Sequence, residues 1–239
     1  MSKNVFTLLI AFIMCLASCS FVSKDFDTSD KDNLIIQLIT YVLDQAHYLD
    51  KEINDEFSEK VFDTFLENLD PYKRYFYVSD IEEFSKYKYL IDDAFKNPNL
   101  DFFELVHNRY KKRMLETEKI FTDILSKPFD FNIDEVCECD FKELDYLQTK
   151  DQLYDRWRKL LKIYVIENFH NELEDDLRKS ENDPDFILRK PSLIEKETRG
   201  TLKETMQQNY TFISEEMQRS DWFSVYINSF VSQYDPNTS

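Results

Sequence analysis

Residues Asp101–Leu125, DFFELVHNRYKKRMLETEKIFTDIL, carry the clearest fold signal in this chain of 239 residues. Apolar side chains recur in this stretch at spacings of three and four, which is the period of an α-helix with one face turned to a core. The stretch contains neither proline nor glycine, so we predict one long, unbroken helix. Its predicted inward positions are Phe103, Val106, Tyr110, Met114, Phe121 and Leu125.

The same period continues on both sides of this stretch and predicts an all-α fold. Prolines mark two boundaries, at Asp70-Pro71 and Asn97-Pro98, because the residue before a proline disfavours helical backbone. Ser79 and Glu82 have the spacing of a capping box and predict a helix start. Further helices are predicted from Leu34 (inward Leu34, Ile35, Leu38, Ile39, Val42 and Ala46), over Val61–Leu69, over Ser79–Phe95, over Asp140–Asp176 (inward residues including Trp157 and Tyr164), from Leu193 towards Arg219, and over Asp221–Gln233.

Composition excludes several classes of function. The chain has a single glycine, Gly200, where average usage gives about 17 in a chain of this length. Phosphate loops, dinucleotide fingerprints and nucleophile elbows all need glycine, so none of them is expected. The formal net charge is −17, and this negative field repels phosphate backbones, so we expect no nucleic-acid partner.

The amino terminus is typical of an exported bacterial protein. Residues 5–17 are almost entirely apolar and follow Lys3, but a membrane-spanning helix needs about 20 residues, so this run fits a signal peptide. Leu16-Ala17-Ser18-Cys19 then resembles a lipobox, in which the cysteine is lipidated. We therefore predict a lipoprotein signal peptide over 1–18, lipidated Cys19 as a membrane anchor, a polar tether over 19–33 and a helical domain over 34–239. An ordinary signal peptide with an incidental Cys19 is the alternative.

Two residue patterns raise the question of a metal site. Cys137 and Cys139 stand one residue apart, which supplies two thiolates where a structural zinc site needs four ligands. They are either incidental or a metal or redox pair, and we favour the first. Each histidine also has an acid three residues before it, at Asp44/His47, Glu104/His107 and Glu167/His170, and such pairs on helices occur in di-iron bundles.

Helical phase argues against the di-iron interpretation. It places His107 inward but puts His170 and Glu167 on the polar side of their helix. Acids are abundant in this chain, and the ordinary role of such pairs is a surface contact. We predict no metal and no cofactor.

Three stretches resemble the N-terminal region of the bacterial tail-specific, or carboxy-terminal processing, proteases. The first is LDPYKRYF at 69–76 with SDIEEF at 79–84, the second is LYDRWRK at 153–159, and the third runs from DWFS at 221–224 to DPNTS at 235–239. Asn237 stands where the family usually has histidine. The matching residues to which we assign a structural role are Leu69, Asp70, Pro71, Lys73, Tyr75, Phe76, Ser79, Asp80, Glu83, Phe84, Trp157, Asp235, Pro236, Thr238 and Ser239.

The resemblance implies a function that this stretch of chain does not perform by itself. In that family the DPxTS junction leads into a PDZ domain and a serine peptidase core with a Ser/Lys dyad. No catalytic residue of the family matches a position here, so we expect a non-catalytic part of an envelope endopeptidase. Its expected partners are the PDZ and peptidase domains and a protein substrate or an adaptor. The alternative is a stand-alone helical lipoprotein that binds partners and lacks peptidase activity.

Overall fold

The structure is a computed structural model that describes residues 28–45, 52–141 and 143–234. Within these ranges it contains eight α-helices and no strand, so the all-α prediction is confirmed for the described residues. The helices are α1 (Thr28–Gln45), α2 (Asp55–Leu69), α3 (Val78–Phe84), α4 (Ile91–Lys96), α5 (Asp101–Ile124), α6 (Lys150–Asn182), α7 (Pro191–Thr211) and α8 (Arg219–Tyr234). A 3₁₀ turn, Ser85–Tyr87, follows α3, and a π-helical turn, Phe212–Glu216, follows α7.

The buried side chains form two clusters that share the long helix α5. The first cluster joins the amino-terminal half of α5 to α2, α4 and α8, and aromatic rings such as Phe65, Phe103 and Tyr226 fill it. The second joins the carboxy-terminal part of α5 to α6 and is centred on Trp157. All six inward positions predicted for α5 are buried. The apolar stripe of one helix thus supports both halves of the core.

Helix α1 differs from its prediction in both its start and its face. It begins at Thr28, so residues 28–33, which were assigned to the tether, are helical. Ile36 of this helix is fully buried, and Ile35 and Ile39 pack at the edge of the first cluster. The inward face is therefore rotated from the predicted one, because α1 meets α4 through its isoleucines. Three residues predicted to be inward are 57%, 60% and 52% exposed, namely Leu34, Leu38 and Val42, and Ala46 lies outside the described residues.

The predicted helix Ser79–Phe95 is wrong as a single element, since three short elements occupy it. Helix α4 starts anew at Ile91 because a contact with α2 fixes its first turn. The Ser58 hydroxyl donates to the Asp92 carboxylate at 2.7 Å and accepts from the Asp92 N–H at 2.9 Å, and both residues are buried. The spacing of apolar residues cannot predict a hydrogen bond between residues so far apart in the sequence.

Helix ends in the second half also differ from the prediction. Helix α6 starts at Lys150 rather than Asp140, because Thr149 and Gln152 form a capping box there. Tyr164 on α6 was predicted inward but is 41% exposed. Helix α7 ends at Thr211, and the π-helical turn separates it from α8, where the prediction had one helix as far as Arg219. Among the described residues no helix combines the length and apolarity needed to cross a bilayer.

Gly200 lies in the interior of α7, and we expect Gly200→Ala to stabilise the protein. A Cβ atom built at this position meets no atom within 4 Å, and the backbone is helical. Alanine loses less conformational freedom on folding, so the free energy of unfolding should rise by about 0.5–1 kcal/mol. Urea unfolding followed by circular dichroism measures the change. Glu204→Ala, at an exposed position of the same helix, serves as control and should change stability by less, because glutamate has nearly the helix propensity of alanine.

Candidate functional site

We call residues 69–84 the corner, because they turn the chain from α2 into α3. Asp70 is buried where α2 ends, and its carboxylate accepts hydrogen bonds from three successive backbone N–H groups. The donors are Arg74 at 2.8 Å, Tyr75 at 2.9 Å and Phe76 at 3.0 Å. Asp70-Pro71 therefore ends the helix and folds the next residues back around one carboxylate. Lys73 has a φ of 44° within this tight turn.

The side chains that follow this turn fill the space between helices. Phe76 is fully buried and meets Phe84 edge-on, with ring centroids 5.3 Å apart. Tyr75 meets Tyr110 of α5 at 5.1 Å and Trp157 of α6 at 6.1 Å. The corner thus contacts both core clusters.

A buried ion cluster fixes the start of α3. Asp80 is fully buried, and its carboxylate accepts from the Tyr77 N–H at 3.0 Å, which caps the helix. Arg113 donates to the two Asp80 oxygens with Nε and Nη2, both at 2.8 Å, and Arg109 also binds Asp80. Burial alone would raise the pKa of Asp80, but these hydrogen bonds outweigh it and lower the pKa. The predicted capping box at Ser79 and Glu82 is therefore wrong: the helix begins one residue earlier, and Asp80 caps it.

The second quoted stretch, 153–159, binds directly to the corner. The Trp157 indole donates from Nε1 to the carbonyl of Arg74 at 2.9 Å, and Arg156 donates to the carbonyl of Lys73 at 2.6 Å. The Arg74 guanidinium lies over the Trp157 ring, 4.8 Å from its centroid. Backbone carbonyls of the corner and side chains of α6 therefore form one polar joint between the first and second quoted stretches.

The third stretch closes the first core cluster. Trp222 and Phe223 of α8 are buried, and the Phe223 ring meets Phe103 edge-on at 5.5 Å. Trp222 packs against Tyr110 at 5.1 Å, so α8 touches the same residue as the corner does. Asp235, Pro236, Thr238 and Ser239 lie outside the described residues, as do Cys19 and the predicted signal peptide.

The predicted site residues that the structure describes fall into two groups: those that form the corner or its joint with α6, and those at the surface beside it. Most of them meet in the corner and its joint with α6. Ser79 is exposed, and Glu83 is half-buried and reaches Arg109. Sequence reasoning missed Arg109 and Arg113, although their spacing of four on the most clearly predicted helix, beside inward Tyr110 and Met114, was an available signal.

Two of the three histidines, His107 and His170, lie within the described residues, whereas His47 lies outside them. His107 is 7% exposed as its phase predicted, and its neighbour Glu104 pairs with Arg219. The His170 side chain is 65% exposed and contacts Glu174 at 3.1 Å, again on the predicted side. Cys137 is half-buried and Cys139 exposed, both as free thiols. Within the described ranges no three His, Cys, Asp or Glu side chains cluster in a way that could hold a metal ion.

A loop between α5 and α6 is held to α6 by Glu135. The Glu135 carboxylate binds Arg158 through both oxygens, one of them at 2.9 Å from Nη1, and accepts from Lys162 Nζ at 2.6 Å. Lys162 also donates to the carbonyl of Ile133 at 3.3 Å. The hydrogen bonds from Arg158 and Lys162 lower the pKa of Glu135 to about 2. These contacts fix the loop against the middle of the helix.

Replacing Glu135 with glutamine should lower stability in a pH-dependent way. The folded-state pKa lies below the ordinary value of 4.5, so the charged form stabilises the fold above that pH and this stabilisation is lost as the pH falls towards 2. At pH 7 we expect Glu135→Gln to cost about 1 kcal/mol. In urea titrations, the difference in free energy of unfolding between the variant and the unsubstituted chain should shrink steadily from pH 5 to pH 2. At pH 2 almost none of it should remain. A difference that stays constant over this range would contradict the assignment.

Comparison with known proteins gives the family. Residues 39–239 match the family described as the tail specific protease N-terminal domain. The chain belongs to this family. It is also 26% identical over 212 residues to a tail-specific protease of Haemophilus influenzae, and the match covers 88% of this chain and 28% of that protein. The chain therefore spans little more than a quarter of the length of this bacterial relative.

Within the tail-specific protease N-terminal domain, the three quoted stretches have an evident physical basis. The corner, its joint with α6 and the aromatic face of α8 all meet on α5 or next to it. The resemblance inferred from these stretches and the family match therefore describe the same helical unit.

Proposed function

We propose that this chain is the non-catalytic helical N-terminal domain of an envelope carboxy-terminal processing serine peptidase. The observation that carries the proposal is the family match over 39–239, together with coverage of only 28% of the Haemophilus relative. In this proposal the domain frames a PDZ domain and a Ser/Lys peptidase core and contacts an adaptor or protein substrate. The reaction is then carried out by residues outside this stretch of chain.

An exposed apolar face on α1 supports a role in contact with other parts of a larger protein. Leu34, Leu38, Tyr41 and Val42 are all more than half exposed and lie on one side of the helix. Contiguous apolar side chains on a surface mark contact sites. This feature supports a framing role without naming the domain that covers it.

The coding sequence beyond Ser239 gives the first test. A reading frame that continues into a PDZ-like segment and a peptidase core supports the proposal. A stop codon at that point overturns it and favours the stand-alone binding lipoprotein. A second test replaces the N-terminal domain of the Haemophilus influenzae tail-specific protease with residues 39–239. The chimera should cleave a reporter protein that the domain-deleted enzyme leaves intact, and equal cleavage by the deleted enzyme would contradict a framing role.

The envelope location is part of the same proposal and rests on Cys19. Lipidation at this residue would anchor the domain at a membrane surface, because two or more acyl chains hold a protein stably. Cells fed an alkyne-tagged fatty acid should label the unsubstituted chain. Cys19→Ser should abolish the label, whereas Cys15→Ser should keep it. Equal labelling of Cys19→Ser would contradict the lipoprotein assignment.

A further inference from the structure

A cleft of about 160 Å³ opens between α5, the π-helical turn and the start of α8. Its walls combine apolar and polar side chains, and three of the wall residues, His107, Met114 and Trp222, are buried. The π-helical turn supplies Ile213, and Met217 follows it, so the irregular backbone shapes one wall. An apolar cavity of about 150 Å³ holds a benzene molecule. The cleft is therefore of a size to take one ring or a short branched chain.

His107 lines the cleft and lacks a polar partner. The residue is 7% exposed, and its buried Nδ1 atom has no hydrogen bond within the described part of the chain. The imidazole does stack on Phe103, with centroids 5.5 Å apart, which holds the ring in place. Burial lowers its pKa, so the ring is neutral at pH 7 and carries one donor and one acceptor nitrogen. Because Nδ1 is sealed from solvent, the ring atom that a ligand in the cleft can reach is Nε2, which is not among the buried atoms and has no hydrogen bond to a described residue.

The charges around the cleft are mixed, but one cation among them has no partner. Although the chain has a net charge of −17, the described residues that line the cleft include Lys111 and Arg219 and no carboxylate. Arg219 is already paired with Asp32 and Glu104. Lys111 is exposed and forms no ion pair with any described residue, so it is the cation that remains for a ligand.

We propose that this cleft binds a small apolar carboxylate. A body about the size of a benzene ring lies between Met114, Met217 and Trp222, and the carboxylate faces His107 and Lys111. Pockets of this kind, with apolar walls and a few convergent polar groups, are the usual form of small-ligand sites. The site is separate from the corner and does not depend on the proposed peptidase role.

Benzoate, benzyl alcohol and benzylamine are the probes, because they share a ring and differ in charge. With ¹⁵N-labelled histidine, the imidazole signals of His107 report binding directly. We expect benzoate to shift them saturably with a Kd of about 1 mM, the range for a ligand of this size. Benzyl alcohol should bind more weakly and benzylamine weakest. Equal binding of benzoate and benzylamine, or no saturable shift, would overturn the proposal.

Three variants assign the contacts. Lys111→Gln should weaken benzoate binding about threefold to fivefold, which is the scale of one partly exposed charge. Lys112→Gln removes a neighbouring exposed lysine that does not line the cleft and should leave binding unchanged. His107→Phe keeps the stacked ring and should weaken binding about tenfold, read from the Trp222 indole signal. If His107→Phe does not fold, the two lysine variants still decide, and equal losses in both would overturn the proposal.

Discussion

Asp80→Ala is expected to lower the free energy of unfolding by about 3–5 kcal/mol, which is the cost of removing one partner from a buried ion pair. The substitution removes the acceptor for the Tyr77 N–H and leaves Arg113, whose side chain is 13% exposed, without its two-point partner. Glu116 still binds Arg113 at 2.8 Å and Glu83 still reaches Arg109, so the lower part of the range is the better expectation. Urea unfolding at pH 7 measures the change.

Glu82→Ala is the matched control on the same helix. Glu82 is exposed and makes no cap in the structure, so its loss should change stability by less than about 0.5 kcal/mol. A double-mutant cycle with Arg113→Met then separates the ion pair from the loss of the cap. A larger effect of Glu82→Ala than of Asp80→Ala would restore the capping box inferred from the sequence and contradict the ion cluster.

These two residues show where sequence reasoning succeeded and where it did not. The sequence identified the stretch 69–84 and predicted a helix start within it. It chose Ser79 and Glu82 for the cap because their spacing fits the local pattern. Asp80 was the better candidate only because Arg109 and Arg113 lie against it, and these come from a helix some 30 residues further along the chain. Local spacing cannot include a partner that tertiary packing supplies.

The helices, too, could be predicted where a local pattern decides them and not where tertiary packing does. Helix α5 has a long apolar stripe, so its inward residues could be read from its period alone. Helix α1 carries apolar residues on more than one face, and only packing against α4 decides that Ile36 is inward while Leu38 is exposed. The π-helical turn before α8 has no signal in the sequence, although it forms one wall of the cleft that contains His107.

Trp157→Ala should be as costly as the loss of Asp80, at about 3–5 kcal/mol, because a large buried ring leaves a cavity that the surroundings fill only in part. Trp157 is 1% exposed and lies at the centre of the second core cluster. Its loss also removes the hydrogen bond to the Arg74 carbonyl and the surface on which the Arg74 guanidinium stacks. The joint between α6 and the corner should therefore loosen along with the core.

Further variants separate the cost of the cavity from the cost of the lost hydrogen bond. Trp157→Phe keeps much of the apolar bulk and removes the donor, so we expect a loss of about 1–3 kcal/mol from the unpaired carbonyl. Tyr154→Phe removes an exposed hydrogen bond to Asp123 from the same helix and should cost less than about 0.5 kcal/mol. Hydrogen exchange adds a local readout, since the N–H groups of Tyr75 and Phe76 are bound to Asp70. If Trp157 holds the corner in place, those two amides should lose protection in Trp157→Ala and keep it in Tyr154→Phe; unchanged protection in both would limit the role of Trp157 to the second core cluster.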